Sequence, residues 1–411
     1  MPWRDKHPTL LLTGSAGGGK SKLAAEKLHA FCKKYPGSTA VMLRKTRESM
    51  MNSTLLFMER AVITLQDPQV YHRPSKHRFE YENGSVLAYG GMKDDEQREQ
   101  IRGIGQDGGA DIIWMEEANQ FDESDYNELI ARARAKAAPW RQILLSCNPD
   151  APTHWIYSRL ILGHEAHVYY SSAVQNLHNP KDYLDNLARM TGIEGLRLHK
   201  GLWVQATGLV LDTYVDKYGR GMSEDGDAGN VTDEAEFVQD GGPTFWAVDD
   251  GYSGELDQKN GLFTANSHPR VFLFCQLRRD GTLTVFNEDY AVHVQDDQHI
   301  ERVMDESIYP YPRPDFAGVD KSAASLKGRL YTYGISTRNG PADVDESLKE
   351  IRRKLAPDKN GRRRILIHPR CRHLRSECAS YVYNGETGKP AKQFDHGPDA
   401  LRYLAWAFRF E

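Results

Sequence analysis

Short apolar runs separated by longer mixed stretches set the rhythm of the first half of this chain. Residues 10–12 (LLL), 38–43 (STAVML), 111–115 (DIIWM) and 142–146 (QILLS) are short stretches with an apolar centre, bounded by polar residues and turn signals. Runs of that length predict strands buried on both faces. Between them lie helical stretches, at residues 21–34, at 44–63, and to Ala137 from Ser124 as N-cap. A hairpin is predicted from residues 79–81 and 85–89, turning at Asn83-Gly84. Buried strands alternating with helices predict a parallel sheet with helices on both faces.

The pattern changes after residue 150. Residues 179–200 read as a polar helix with Pro180 just inside its start. Residues 217–242 are rich in Gly, Asp and Glu and predict an exposed loop or linker. A second set of strands follows at residues 244–248, 270–275, 282–287, 315–319 and 364–368, with a turn at Asp280-Gly281. A last helix is predicted from Pro398 to Phe410. The expected division is therefore residues 1–207, with a small helical linker or lid at about 151–207, and residues 208–411.

Composition narrows the class. A length of 411 residues allows two domains with separate cores. A net charge of −4 argues against a globally basic nucleic-acid binder but leaves room for a basic groove. No apolar stretch approaches the roughly 18 residues of a membrane span. The N-terminus lacks a signal-peptide layout, so a cytosolic chain is expected. Five scattered cysteines fit reduced thiols. Cys371, His373 and Cys378 lack a fourth ligand at good spacing for zinc.

The candidate chemistry begins where the first apolar run ends. Gly14, Gly19, Lys20 and Ser21, with Gly17 inside the turn, fit the phosphate-loop pattern G-x-x-x-x-G-K-[ST]. Glycines let backbone N–H groups wrap a phosphate. Lys20 would reach the β- and γ-phosphates of ATP, and Ser21 would hold Mg²⁺. The following helix would point its positive end at the anion. The apolar run 112–115 leads into Glu116 and Glu117, the acids expected opposite such a loop. Glu116 would hold Mg²⁺, with Glu in a place where Asp is commoner, and Glu117 would act as general base. Ser146-Cys147-Asn148-Pro149 ends the next strand, where a polar Asn148 either senses the γ-phosphate or only opens an Asn-Pro turn.

Taken together, these stretches resemble the large terminase subunit of tailed bacteriophages. The matching segments are the phosphate loop, IIWMEEANQF, LLSCNPDAPTHWIYSRLI, GLWVQATGLV, AVDDGYSG, AGVDKSAAS and DHGPDALRYLAW. The resemblance implies an N-terminal P-loop (ASCE-type) domain with a parallel sheet, followed by a C-terminal RNase H-like α/β domain with a mixed sheet. It implies ATP-driven translocation of double-stranded DNA into a procapsid and endonucleolytic cutting of concatemers. The implied partners are DNA, the portal protein, the small terminase subunit and further copies in a ring, with a monomer open as the state in solution. The implied place of action is the cytoplasm of the infected bacterium, outside the mature virion. A helicase or repair-type ATPase fused to a two-metal nuclease is the alternative.

The resemblance also assigns residues. Ser146 and Asn148 fall in the family's coupling motif. Ala16 stands where many relatives carry a loop arginine, so a cis arginine must come from elsewhere, with Arg44 a candidate. Arg102, or else Arg98, is the candidate for an arginine supplied to a neighbouring copy. Asp249 closes a strand, Asp320 follows another and Asp399 opens the last helix. Carboxylates from three elements suit a site for two Mg²⁺ or Mn²⁺ ions. His396 matches a family histidine that aids metal binding or proton transfer. Asp250, Glu288 and Asp395 are weaker candidates, Asp395 being the expected helix cap. Basic runs at residues 352–354 and 362–364 either track DNA phosphates or form solvated faces.

Overall fold

The structure is a computed structural model that describes residues 1–63, 67, 69–102, 109–205, 208–219, 229–385 and 387–404. The chain divides into two compact units. One takes in Met1–Asp150 and His154–Leu202, the other Trp203–Tyr218 and the described residues from 229 onward. Among the described residues, no helix is long and apolar enough to cross a membrane.

The first unit is built on one eight-stranded sheet. Its strands are β1 (Thr9–Gly14), β2 (Thr39–Arg44), β3 (Val70–Arg73), β4 (Arg78–Tyr81), β5 (Val86–Gly91), β6 (Ile112–Glu116), β7 (Gln142–Ser146) and β8 (His167–Ser171). They lie in the order β3-β4-β5-β2-β6-β7-β1-β8. From β5 to β8 every pairing is parallel. At the other edge β3, β4 and β5 pair antiparallel. Strand β7 stands between β1 and β6, the arrangement expected of an ASCE-type sheet. All residues of β1, β2 and β7 are buried, as their unbroken apolar patterns require. Helix Lys20–Lys34 packs Ala24, Ala25, Leu28 and Phe31 into the core against Trp114 and Leu144.

Several elements differ from the sequence expectation for local reasons. The helix expected from residue 44 starts at Arg47, with Thr46 as its cap, because Arg44 completes β2. The helix expected from Ser124 starts at Glu123 after Asp122, whose N–H donates to Asp125 Oδ2 at 3.0 Å. Residues 181–199 are three short helical pieces, Lys181–Ala188, Gly192–Glu194 and Gly195–His199, broken where Gly192 takes φ 63°. Polar residues 95–102 coil into helix Asp95–Arg102.

The second unit holds a mixed six-stranded sheet. Its strands are β9 (Thr244–Asp249), β10 (Arg270–Leu277), β11 (Leu283–Ala291), β12 (Phe316–Val319), β13 (Thr337–Asn339) and β14 (Ile365–Ile367). The order is β13-β12-β9-β10-β11-β14. Three consecutive antiparallel strands, β9, β10 and β11, carry β12 and β13 parallel on the β9 side. That is the RNase H-like arrangement, extended here by β14 parallel to β11. Trp246, Val248, Phe272, Phe286, Ile300 and Leu326 belong to its separate core. Helix His396–Tyr403 packs on β9 and β10, and residues 405–410 of the expected last helix lie outside the described residues.

Candidate functional site

Parallel pairing brings the nucleotide-site candidates to one sheet edge. Leu12 and Glu116 both pair with Ser146, so β1, β6 and β7 end together at their carboxyl ends. A cleft of about 340 Å³ opens there. Residues 16–22 line it with Phe57, Glu116, Glu117, Cys147, Asn148, Asn176 and Asn179. Gly14, Gly17 and Gly19 take φ of 117°, 73° and 79°. At Gly14 a Cβ would lie 2.1 Å from Ser171 O, so glycine is required there for fit as well as for torsion.

Lys20 Nζ donates to Ser15 O at 2.6 Å, Asn148 Oδ1 at 2.9 Å and Gly14 O at 3.3 Å. Burial pushes its pKa down to about 8, against the pull of Cys147 and Glu116. An ammonium held by neutral oxygens is poised to exchange them for phosphate. Glu116 is raised by burial, opposed by Ser21, Arg44 and Thr54, and its Oε2 is buried without a partner. A carboxylate and the Ser21 hydroxyl are hard oxygen donors that fit Mg²⁺. Ser146 Oγ accepts from Trp114 Nε1 at 2.8 Å, tying the end of β7 to β6.

Two asparagines distant in the chain, with no local motif to mark them, also line this cleft. Asn176 and Asn179 donate their Nδ2 groups to Gly17 O at 2.9 and 3.0 Å, bracing the loop apex. Arg44, the candidate cis arginine, is buried at the end of β2, where it forms an ion pair with Glu117 and donates to Ser49 O. Glu117 is held at φ 50°, a left-handed conformation costly for a residue with a Cβ and common at functional sites. Of the arginines considered for action on a neighbouring copy, Arg98 is engaged by Asp125 and Glu128 of its own unit. The side chain of Arg102 lies outside the described residues.

In the second unit, β9 and β12 run parallel with Val248 opposite Val319. Asp249 and Asp320 are the next residues, so they stand at neighbouring strand ends on the carboxyl edge. Tyr403, on the last helix, donates its hydroxyl to Asp249 Oδ1 at 3.2 Å. Burial raises Asp320, but hydrogen bonds from Ser322 and Tyr403 outweigh it and hold the carboxyl below its ordinary range. Asp399, one turn before Tyr403, meets Lys392 Nζ at 3.3 Å and Arg402 Nε at 3.2 Å. Burial pushes Asp249 up to about 6, with His396 pulling down and Asp399 pushing further up. The Asp249, Asp320 and Asp399 oxygens are hard donors suited to Mg²⁺ or Mn²⁺. Among the described residues, however, no three His, Cys, Asp or Glu side chains stand close enough to hold one ion in this conformation.

His396 has both ring nitrogens engaged. Nε2 lies 2.8 Å from Ser267 O, which can only accept, and Nδ1 lies 3.0 Å from Asp249 Oδ2. Its pKa is raised to about 9; burial lowers it, but Asp249 and Glu377 outweigh that. The imidazolium is thus the counter-charge of Asp249. Asp250 and Glu288 are occupied elsewhere, whereas Asp395 stays beside His396, 3.7 Å from its Nε2. Asp250 pairs with Arg270, Glu288 accepts the N–H groups of His373 and Leu374, and Asp395 occupies the N-cap position without a side-chain cap bond. The basic runs are largely structural too. Lys354 is buried, Arg353 pairs with Glu350, and Arg363 donates to Thr213 O and Leu355 O.

Solved structures similar to the chain include the large terminase from a thermophilic bacteriophage, in its second crystal form. It is 21% identical, covering 100% of this chain and 96% of that one at a TM-score of 0.45. The HK97 bacteriophage large terminase is 12% identical, covering 98% and 91%, at 0.38. The large terminase nuclease from the thermophilic phage G20c, with bound magnesium, is 13% identical, covering 50% and 98%, at 0.31. No curated protein matches the chain. Residues 6–187, which contain the whole phosphate-loop cleft just described, match the family described as phage terminase large subunit.

Proposed function

We propose that this chain is a packaging motor that uses ATP to drive double-stranded DNA into an empty procapsid and cuts concatemeric DNA with a second, metal-dependent site. The supporting observation is the gathering of Lys20, Ser21, Glu116, Glu117 and Asn148 around one cleft inside the segment that matches the terminase family. In this reading Lys20 holds the β- and γ-phosphates, Ser21 and Glu116 hold Mg²⁺, and Glu117 takes the proton of the attacking water. Asn148, bonded to Lys20, reports loss of the γ-phosphate to the coupling segment. Residues 1–207 would form the motor domain and 208–411 the nuclease.

The nuclease reading rests on Asp249 and Asp320 at neighbouring strand ends beneath the helix that carries Asp399. These three would hold two Mg²⁺ or Mn²⁺ ions, which supply the activation of water and the stabilisation of the leaving oxygen. His396 would steady Asp249. The working assembly would be a ring on the portal, with a small terminase subunit choosing the DNA, in the cytoplasm of the infected bacterium.

The test is paired assays on the purified full chain. ATP turnover is expected without DNA, and plasmid cleavage is expected to need metal, to ignore sequence and to be stronger with Mn²⁺ than Mg²⁺. Lys20→Ala should remove turnover and spare cleavage, and Asp249→Ala should do the reverse. Cleavage that survives chelator or Asp249→Ala would refute the metal-site assignment, and turnover by Lys20→Ala would refute the motor site.

A further inference from the structure

Two glutamates of the second unit are placed for a task other than ligating metal. Glu288, on β11, accepts the N–H groups of His373 and Leu374 at 2.8 and 2.9 Å. These are the second and third residues of helix Arg372–Ser380, whose own N-cap, Cys371, offers no side-chain bond. Glu377, on that helix, repeats the pattern one element further on. Its Oε2 accepts Gly397 N–H at 2.7 Å and the Tyr290 hydroxyl at 3.0 Å. Gly397 is the second residue of helix His396–Tyr403, whose N-cap, Asp395, likewise makes no side-chain cap bond. Each helix thus has first-turn donors, which would otherwise be orphaned, satisfied by a glutamate from a preceding element.

The second clamp sits where precision would matter. Helix His396–Tyr403 presents His396, Asp399 and Tyr403 to Asp249 or to the charges around it. The fit around Gly397 is tight, since an added Cβ would lie 2.3 Å from the Tyr290 hydroxyl and 2.7 Å from Leu374 Cδ1. The donor is backbone, the acceptor is buried, and the hydroxyl that shares it comes from the central sheet.

We propose that Glu377 is a positioning residue of the cleavage site, gripping Gly397 so that the first helical turn holds Asp399 and His396 in register with Asp249. The proposal rests on the nuclease reading of the second unit. Among the described residues Glu377 makes no hydrogen bond to Asp249, Asp320 or Asp399, so apart from its charge near His396 its effect would pass through the helix. Groups that orient metal ligands typically change metal affinity or activity by about 10–100-fold when removed. What matters here is acceptance of a hydrogen bond, so glutamine should serve and an apolar side chain of similar length should not.

The experiment is Mn²⁺ titration of plasmid cleavage by the full chain, with ATP turnover measured on the same preparations. Glu377→Met is expected to raise the half-saturating Mn²⁺ concentration about tenfold or more, and Glu377→Gln to stay within about threefold of the parent. ATP turnover should be unchanged in both. A merely destabilised Glu377→Met would lose amplitude in proportion to the unfolded fraction at an unchanged half-saturation point, and that result overturns the proposal. If Glu377→Met does not fold, Glu377→Ala decides, since it too removes the acceptor of Gly397 N–H. A rise of about tenfold or more in half-saturating Mn²⁺ supports the clamp, and parental half-saturation overturns it. If the parent protein itself shows no Mn²⁺-dependent cleavage, the nuclease reading fails and takes the proposal with it.

Discussion

Lys20 is held by three oxygens of its own chain, and its pKa is pushed down to about 8 by burial. A bound triphosphate would restore the charged form, because an adjacent anion favours it. Below pH 7 the ammonium is already protonated, and ATP binding should be level in pH as far as Lys20 is concerned. Above pH 8 the free protein holds Lys20 mostly neutral, so binding must take up a proton. The predicted affinity then falls up to about tenfold per pH unit. Calorimetry at pH 8.5 in two buffers of different ionisation enthalpy should register uptake of most of one proton, and zero uptake would contradict the assignment. The ion pair of Arg44 with Glu117 leads to a second prediction. Glu117→Gln should lower turnover about 100-fold or more with nucleotide binding retained, since it would remove the proposed general base while keeping the side chain's shape. Arg44→Ala should lower kcat about tenfold with little change in KM, because Arg44 is absent from the cleft lining and acts on Glu117. A raised KM with normal kcat would instead place Arg44 on the nucleotide.

At the scale of elements, the phosphate loop is held from behind as much as from within. Ala16 N–H donates to Leu198 O at 2.8 Å and Ser15 N–H to Ser171 O at 2.8 Å. Gly201 follows at φ 68°, where a Cβ would lie 2.7 Å from Ser15 N and 2.9 Å from Gly14 Cα. Gly201→Ala is therefore predicted to destabilise the first unit by about 1–3 kcal/mol. It should also weaken ATP binding, because the displaced neighbour is the loop backbone. Thermal melting and nucleotide titration together check this, and unchanged affinity with lowered stability would separate the segment from the site. Such supports were not legible in the sequence, and the reason is physical. That the phosphate loop, Glu116 and Glu117 meet at one sheet edge could be read because it depends on local spacing at strand ends. Asn176, Asn179, Tyr403 and Glu377 act on residues far away in the chain or through a turn of helix, and nothing local marks them. The same contrast runs through the fold. Buried central strands such as β1, β6, β7 and β9 were plain from their apolar runs. Strand β3 is half-exposed, and helix Val344–Leu355 carries charged residues over most of its surface, so neither shows an apolar run. Local propensity predicts Asp395 as the cap of the last helix, but that helix's Gly397 N–H is taken by Glu377.

For the whole molecule, the separation into two units makes a quantitative prediction. Each unit has its own apolar core, one around Trp114 and Leu144, the other around Phe272 and Phe286. The nucleotide cleft is lined wholly by the first unit, and Asp249, Asp320 and Asp399 belong wholly to the second. A ligand that binds only one folded unit stabilises that unit by RT ln(1 + [L]/Kd), about 2.7 kcal/mol at a hundredfold excess over Kd. For a unit of this size each kcal/mol raises Tm by about 2–4 °C, so Mg²⁺-nucleotide should move one calorimetric transition up by about 5–10 °C. The other transition should stay in place. Lys20→Ala should abolish the shift without altering the second transition, and Asp249→Ala should leave the shift intact. A single transition that moves as one with nucleotide would mean that the two cores unfold together, and the independence of motor and nuclease variants would then have to be abandoned.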